Sequence, residues 1–235
     1  MSVTISQNIY GIYPQHWPFI ADTRHLESVE PEELDEMWAA GWRHFGPQFF
    51  RSSLMVDEMS LKRQVALRIA VDEFRPSKSQ RRTLRKNADL EFGFGLCDPG
   101  CEEEELFHRH KARFERNVPN DLSEFLGSRP DLRPSPAVQL SVRLEGRLVA
   151  ASFLNVGERS CSSIYAVFDP EESHRRLGIQ TMLLELEYAK EQCLDFYYSG
   201  YATVESSCYD YKKQFSGLFF YDWSDSWRPQ EEMAL

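Results

Sequence analysis

Apolar and polar positions alternate over much of Gln64–Phe74, the period of a strand. Upstream, Glu30–Trp42 reads as a helix, with Pro31 near its start, acids in its first turn and Gly41 at its end. The aromatic-rich Trp42–Val56 predicts a strand, and Asp89–Leu96 predicts another. Glu102–Asn117 predicts a helix, its acids in the first turn and its bases later, as the macrodipole prefers. Prolines then interrupt the pattern at Gly127–Ala137 and mark a domain boundary. An N-terminal subdomain over 1–130 and a C-terminal one over 131–235 are expected. Beyond the break, Val138–Val156 predicts a hairpin turning at Glu145-Gly146. Ser162–Pro170 predicts a third strand ended by Asp169-Pro170. Ser173–Cys193 predicts a long amphipathic helix, and Leu194–Ala202 a fourth strand.

Hairpin, strand, helix, strand is the order of the acetyltransferase-like core. The expected fold class is therefore α/β (α+β): a GNAT-like mixed sheet flanked by helices, with an N-terminal α/β subdomain. The 235 residues, 42% of them hydrophobic, suffice for a substantial core. No run of 18 apolar residues exists, so no membrane span is expected. The first 20 residues lack a charged region followed by an apolar run, which makes the cytoplasm the expected compartment. The five cysteines are odd in number and mostly scattered, which predicts no disulfide framework. Cys97 and Cys101 supply at most two ligands where a closed zinc site takes four, so no metal is expected.

Charge changes this picture at one place. The formal net charge is −10, yet Arg75–Lys86 holds six of the 27 basic residues and no acid. Ser77 and Gln80 have capping-box spacing, so a helix is expected to begin at Lys78. Lys78, Arg81, Arg82 and Arg85 then share one helical face. Cations in a first turn oppose the helix dipole by about 0.3–1 kcal/mol each. A face built against its own helix points to an anionic ligand such as phosphate. The competing reading is a solvated face, or one paired with acids from elsewhere in the chain.

A second run, Arg175-Arg176-Leu177-Gly178-Ile179-Gln180, resembles the pyrophosphate-binding turn of acyl-CoA enzymes. Its last position carries Gln180 in place of a small residue, and that side chain crowds the approach.

Six segments occur together: Gly41–Arg51, Glu73–Leu90, Leu106–Phe114, Ser162–Pro170, Arg175–Ile179 and Tyr197–Phe215. In this order they resemble the aminoacyl-tRNA–protein transferases of the N-degron pathway, the arginyltransferases and the bacterial aspartate/glutamate leucyltransferases. The likeness runs from about Tyr10 to Trp227, and the F-x-P-S-x-S-Q-R-R run within Phe74–Arg82 is its most specific part. It implies transfer of arginine or leucine from charged tRNA to the N-terminal amine of proteins beginning with Asp or Glu, on an acetyltransferase-like C-terminal half. The implied partners are aminoacyl-tRNA and acidic N-termini; no cofactor is expected. Many relatives carry early cysteines and a C-x2-C cluster that can hold a metal or iron–sulfur centre. This chain has no cysteine before Cys97.

The implied reaction is aminolysis of an activated ester, which needs positioning, a neutral amine and oxyanion stabilisation. The candidate catalytic residues are Tyr165, Asp169 and Lys212. Asp169 can accept a proton or bind the attacking ammonium, or it can simply cap a turn. Lys212 can meet developing negative charge or lie solvated. Lys78, Arg81, Arg82, Arg85, Arg175 and Arg176 are the candidates for tRNA or the acceptor carboxylate. At most one of His108 and His110 is expected to function. Glu185 and Glu187 are possible acids for an arginyl pocket. The rival readings are an acyl-CoA-dependent N-acetyltransferase and a divergent tRNA- or degron-binding paralogue.

Overall fold

The structure is a computed structural model that describes residues 17–57, 60–115 and 118–233. Most of the N-terminal stretch that bears on a leader, and the last two residues of the helix expected over Glu102–Asn117, lie outside these. Twelve strands and five α-helices are described. In chain order they are β1 (Ala21–His25), α1 (Pro31–Ala39), β2 (Arg43–Phe45), β3 (Gln48–Ser52), β4 (Leu54–Asp57), β5 (Ser60–Ala70), α2 (Lys78–Lys86), β6 (Glu91–Leu96), α3 (Cys101–Lys111) and α4 (Ser123–Leu126). The second half adds β7 (Ala137–Leu144), β8 (Arg147–Val156), β9 (Ser160–Phe168), α5 (Leu177–Glu191), β10 (Phe196–Thr203), β11 (Leu218–Tyr221) and β12 (Trp227–Pro229).

A large mixed sheet has the order β12-β11-β5-β10-β9-β8-β7-β6, with β4 pairing β5 at one end. A small antiparallel sheet, β1-β3-β2, packs beside it. The expected hairpin forms, with Glu145 and Gly146 both at positive φ (51° and 82°), as a tight two-residue turn requires. β7–β8–β9–α5–β10 reproduces the acetyltransferase-like order. Strands from both sides of the proline-rich segment share the sheet: β5 and β6 precede it, and β7 to β12 follow. The aromatic-rich Trp42–Val56 forms three strands where one was expected, because Gly46 (φ 50°) turns the chain between β2 and β3.

β5 is central, and its odd positions explain why. Val65, Leu67 and Ile69 are fully buried in the cluster that also holds Leu183, Leu186 and Tyr197. Each such side chain contributes about 1.5–3 kcal/mol by leaving water. On β8, Ala151 and Phe153 face the cluster of α3 and α4, whereas Ala150 and Leu154 join clusters with α5. Neighbouring strand residues point to opposite faces, so α3 and α5 cover opposite sides of the sheet.

Candidate functional site

β9 and β10 run parallel but pair only at Phe196↔Ser160, Tyr197↔Cys161 and Tyr198↔Ser162. Past these, β10 bulges between Tyr198 and Gly200 in its ladder with β5, and Gly200 adopts φ +94°. The strands part, and their freed backbone groups need other partners. Arg43, from β2, enters the gap and donates through Nη2 to the carbonyls of Ser163 (2.7 Å) and Ile164 (3.1 Å). Gly200 makes room for it. A Cβ there would lie 1.8 Å from Arg43 Nη1 and 3.2 Å from Lys212 Nζ. At the bulge, the buried Ser199 hydroxyl has no hydrogen-bond partner among the described residues.

The floor of this split is charged. Glu185, on the buried face of α5, is 1% exposed. It accepts a short hydrogen bond from the Tyr197 hydroxyl and a longer one, 3.5 Å, from Ser163 Oγ. Burial raises its carboxyl to about 7, against the lowering effect of those hydroxyls and Lys212. Lys212 follows β10 in a short 3-10 turn (Asp210–Gln214), and its Nζ donates to the Tyr201 carbonyl at 3.3 Å. Burial, then the charge of Arg43, brings its ammonium down to about 7. Two cations and one carboxyl therefore meet where the sheet opens.

The mouth is aromatic. Tyr165 of β9 stacks on Phe125 at 3.8 Å, and burial pushes its phenol up to about 12, so it stays a donor at neutral pH. Arg113, just past α3, lies near Tyr165, Tyr211 and Cys208, and partial burial lowers its guanidinium below the ordinary value. Its guanidinium lies 4.3 Å from the Phe168 ring and 5.1 Å from that of Phe114, and it bonds His110 Nε2 at 2.9 Å. His108 is exposed, whereas His110 is buried.

α2 begins at Lys78 with both halves of the Ser77–Gln80 capping box formed. Gln80, Thr83 and Asn87 are buried beneath it; Lys78, Arg81, Arg82 and Arg85 are exposed. Among the described residues none of these four meets a carboxylate, so the alternative of pairing with distant acids is not what folds. The buried face rests on the start of α5. Asn87 Nδ2 donates to Gln180 Oε1 (3.1 Å) and to the Arg175 carbonyl (3.0 Å); Arg176 Nη1 donates to Ser79 Oγ (2.8 Å). Gln180, which departs from the acyl-CoA pattern, is thus a buried packing partner of α2.

The other sequence-derived candidates lie apart from this. Arg175 is held in ion pairs with Asp89 (2.9 Å) and Glu172 (3.0 Å). Asp169 is 1% exposed; it caps the turn after β9 by accepting from the Glu171 N–H, and it pairs with Arg147 and Arg109. Lys212 instead sits beside Arg43, Glu185 and Cys208, whose charges bear on its ammonium. Glu187 points away, lining a groove of about 960 Å³ with Arg68, Phe74 and Phe219 at the start of β10. Arg43 and Arg113 carried no sequence expectation. Each lies within a segment that supports the family resemblance, and that was the only signal they gave.

The residues present do not fit a cysteine-held metal centre. Cys97 is buried with its thiol pushed up to about 12, Cys101 is exposed, and among the described residues no three His, Cys, Asp or Glu side chains converge.

A model of the arginine-tRNA-protein transferase family, C terminus, matches residues 102–222. The chain is 28% identical over 206 residues to an aspartate/glutamate leucyltransferase of Leptospira interrogans, covering 86% of this chain and 79% of that protein. It is 30% identical over 212 residues to one from Campylobacter jejuni, covering 85% and 86%. Among solved structures it is similar in fold to FemX, with a TM-score of 0.49, 13% identity, and 86% and 72% of the two chains covered.

Proposed function

Because the chain belongs to the arginine-tRNA-protein transferase family, we propose that it moves an amino acid from aminoacyl-tRNA to the α-amine of a protein beginning with Asp or Glu, marking it for N-degron turnover. The observation that carries this reading is the split between β9 and β10, with Arg43, Glu185 and Lys212 converging in it.

The acceptor amine attacks the ester carbonyl and the ribose oxygen of the terminal adenosine leaves. An α-amine has a pKa of about 8, so about a quarter of it is already neutral near pH 7.5. Glu185, raised to about 7, takes the proton that the attacking amine sheds. Lys212 and Arg43 face the oxyanion of the tetrahedral intermediate, in a site with little water to screen them. Tyr165, protonated, donates to the departing oxygen. Asp169 holds the turn that leads into α5 and acts on the site only through that turn.

The tRNA backbone lies on the exposed face of α2, on Lys78, Arg81, Arg82 and Arg85, with Arg176 extending it. Arg175, already paired, contributes to the scaffold. Leucine is the proposed donor. Arg43, Lys212 and Arg113 bring three cations to the split against the single carboxyl of Glu185, itself engaged by Tyr197. That balance disfavours an arginyl side chain, and the relatives are named leucyltransferases. Among the described residues no helix is long and apolar enough to cross a membrane. The cytoplasm, where charged tRNA is found, is the proposed compartment.

The test is direct. Purified protein is incubated with radiolabelled Leu-tRNA or Arg-tRNA and peptides beginning with Asp or Glu. Label is expected on the peptide from Leu-tRNA. No transfer from either tRNA refutes the activity, and transfer from Arg-tRNA alone refutes the donor assignment.

A further inference from the structure

We propose that Arg113 reads the acceptor: its guanidinium forks onto the side-chain carboxylate of the N-terminal Asp or Glu, and His110 is the positioning residue that aims it. The inference rests on the transfer reading above and adds the residue that selects the substrate.

Arg113 differs from the other basic residues near the split. Arg43 spends its Nη2 on two backbone carbonyls, and Lys212 donates to a third. Arg113 meets no carboxylate among the described residues and remains exposed, yet it is not loose. Its flat face is covered by the rings of Phe168 and Phe114. One Nη2 bond goes to His110 Nε2. With that nitrogen accepting, Nδ1 carries the proton and donates to the Phe168 carbonyl at 3.1 Å. A guanidinium can only donate, so the Arg113 bond selects this tautomer over the one in which Nδ1 accepts from the Phe168 N–H, 3.0 Å away. Burial and the charge of Arg113 keep the imidazole down at about 4, so its lone pair is available at any ordinary pH. Among the described residues the remaining N–H groups of Arg113 have no hydrogen-bond partner, and a guanidinium's paired N–H groups match a carboxylate's two oxygens.

Position supports the carboxylate over a phosphate. The unpaired cations of α2 sit on the α5 side of the sheet, whereas α3, which leads into Arg113, packs on the opposite side. The split lies between them. Donor and acceptor then approach from opposite faces and meet beside Lys212, and Arg113 is on the face left to the acceptor. Its neighbours there, Tyr165 and Tyr211, supply phenols and no competing anion.

The test compares kcat/KM for peptides differing only in Asp or Asn at the first position. Arg113→Met keeps the length and the ring contacts and removes the charge. The wild-type preference for Asp is expected to be about 100-fold, and Arg113→Met to abolish it by lowering Asp transfer and leaving Asn transfer unchanged. His110→Ala is expected to raise KM for the Asp peptide with kcat preserved; His110→Gln, whose amide oxygen can accept the same guanidinium bond, restores it. A preference that survives Arg113→Met overturns the proposal. So does an equal loss for both peptides with weakened tRNA binding, which assigns Arg113 to the donor. Peptide affinity measured by fluorescence anisotropy needs no donor. Loss of the Asp-over-Asn binding preference in Arg113→Met supports the assignment even if no transfer is seen; absence of any preference in the wild type refutes it.

Discussion

Gly200→Ala tests whether the split is held open by Arg43. The change adds one methyl group, and two costs follow from the structure. The first is backbone strain. Gly200 sits at φ +94°, where an L residue is disfavoured by about 1–2 kcal/mol. The second is collision. The new Cβ would lie 1.8 Å from Arg43 Nη1 and 2.9 Å from its Cζ, so the guanidinium must move. Moving it breaks its bonds to the Ser163 and Ile164 carbonyls, charge-assisted interactions with net values of about 1.5–3 kcal/mol each. A total destabilisation of about 4–8 kcal/mol is expected if nothing relaxes. Urea unfolding measures it, with unchanged m as the sign that the folded state is otherwise intact. The double variant Gly200→Ala/Arg43→Ala isolates the collision. Strain persists there with only the 3.2 Å contact to Lys212 Nζ left, and the Arg43 bonds are lost once where the two singles each lose them, so the pair should couple by about 3–6 kcal/mol in the stabilising direction relative to the sum of the singles. Gly93→Ala is the control, since a Cβ there meets nothing within 4 Å. Coupling below about 0.5 kcal/mol would refute the steric argument.

Three further outcomes are expected. Glu185 is raised to about 7 in the fold against an ordinary 4.5, so between those pH values the native state keeps a proton that the unfolded chain releases. Its contribution is full below about pH 4.5 and lost as pH rises through 7, for a total of about 3 kcal/mol; Glu185→Gln should flatten that part of the stability–pH curve, and an unchanged slope in urea titrations would show the carboxyl is ordinary. Lys212→Met should cut the transfer rate by about 10²–10³ in kcat and leave thermal stability equal or higher, because a buried cation is removed; loss of folding in place of loss of rate would make Lys212 a scaffold residue. Arg82→Ala/Arg85→Ala should lower the slope of log K for tRNA against log salt by about 1.5–2, whereas Arg175→Ala, whose cation is already paired, should leave it unchanged.

Local signals were readable in the chain before folding, and convergent ones were not. The start of α2 was legible because a capping box is a contact between residues three apart. The β7–β8 hairpin was legible because its turn needs two residues that tolerate positive φ. The start of α5 fell at Leu177, four residues after the Ser173 start expected, because Pro170–Arg175 forms a 3-10 turn and Arg176 takes φ 57°. β1, β11 and β12 went unseen: they are three to five residues long and exist through pairing with distant partners. The site followed the same rule. Lys212 was chosen from its segment and does lie in the split. Arg43 and Glu185 arrive from β2 and α5, and Arg113 reaches the mouth from just past α3; no local pattern records where they converge. Arg175 looked like part of a basic run, but Asp89 and Glu172 neutralise it from 86 and three positions away.

The place of β5 in the sheet has a consequence for how the molecule is made. Val65, Leu67 and Ile69 complete the core only when β10 lies alongside, yet 126 positions separate Ala70 from its partner Phe196. At ribosomal speeds of about 5–20 residues per second, this strand waits on the order of 6–25 seconds for its neighbour to be synthesised. During that interval its apolar edge is a target for chaperones and for other nascent chains. The split cannot form before then either, because one of its two walls is β10 itself.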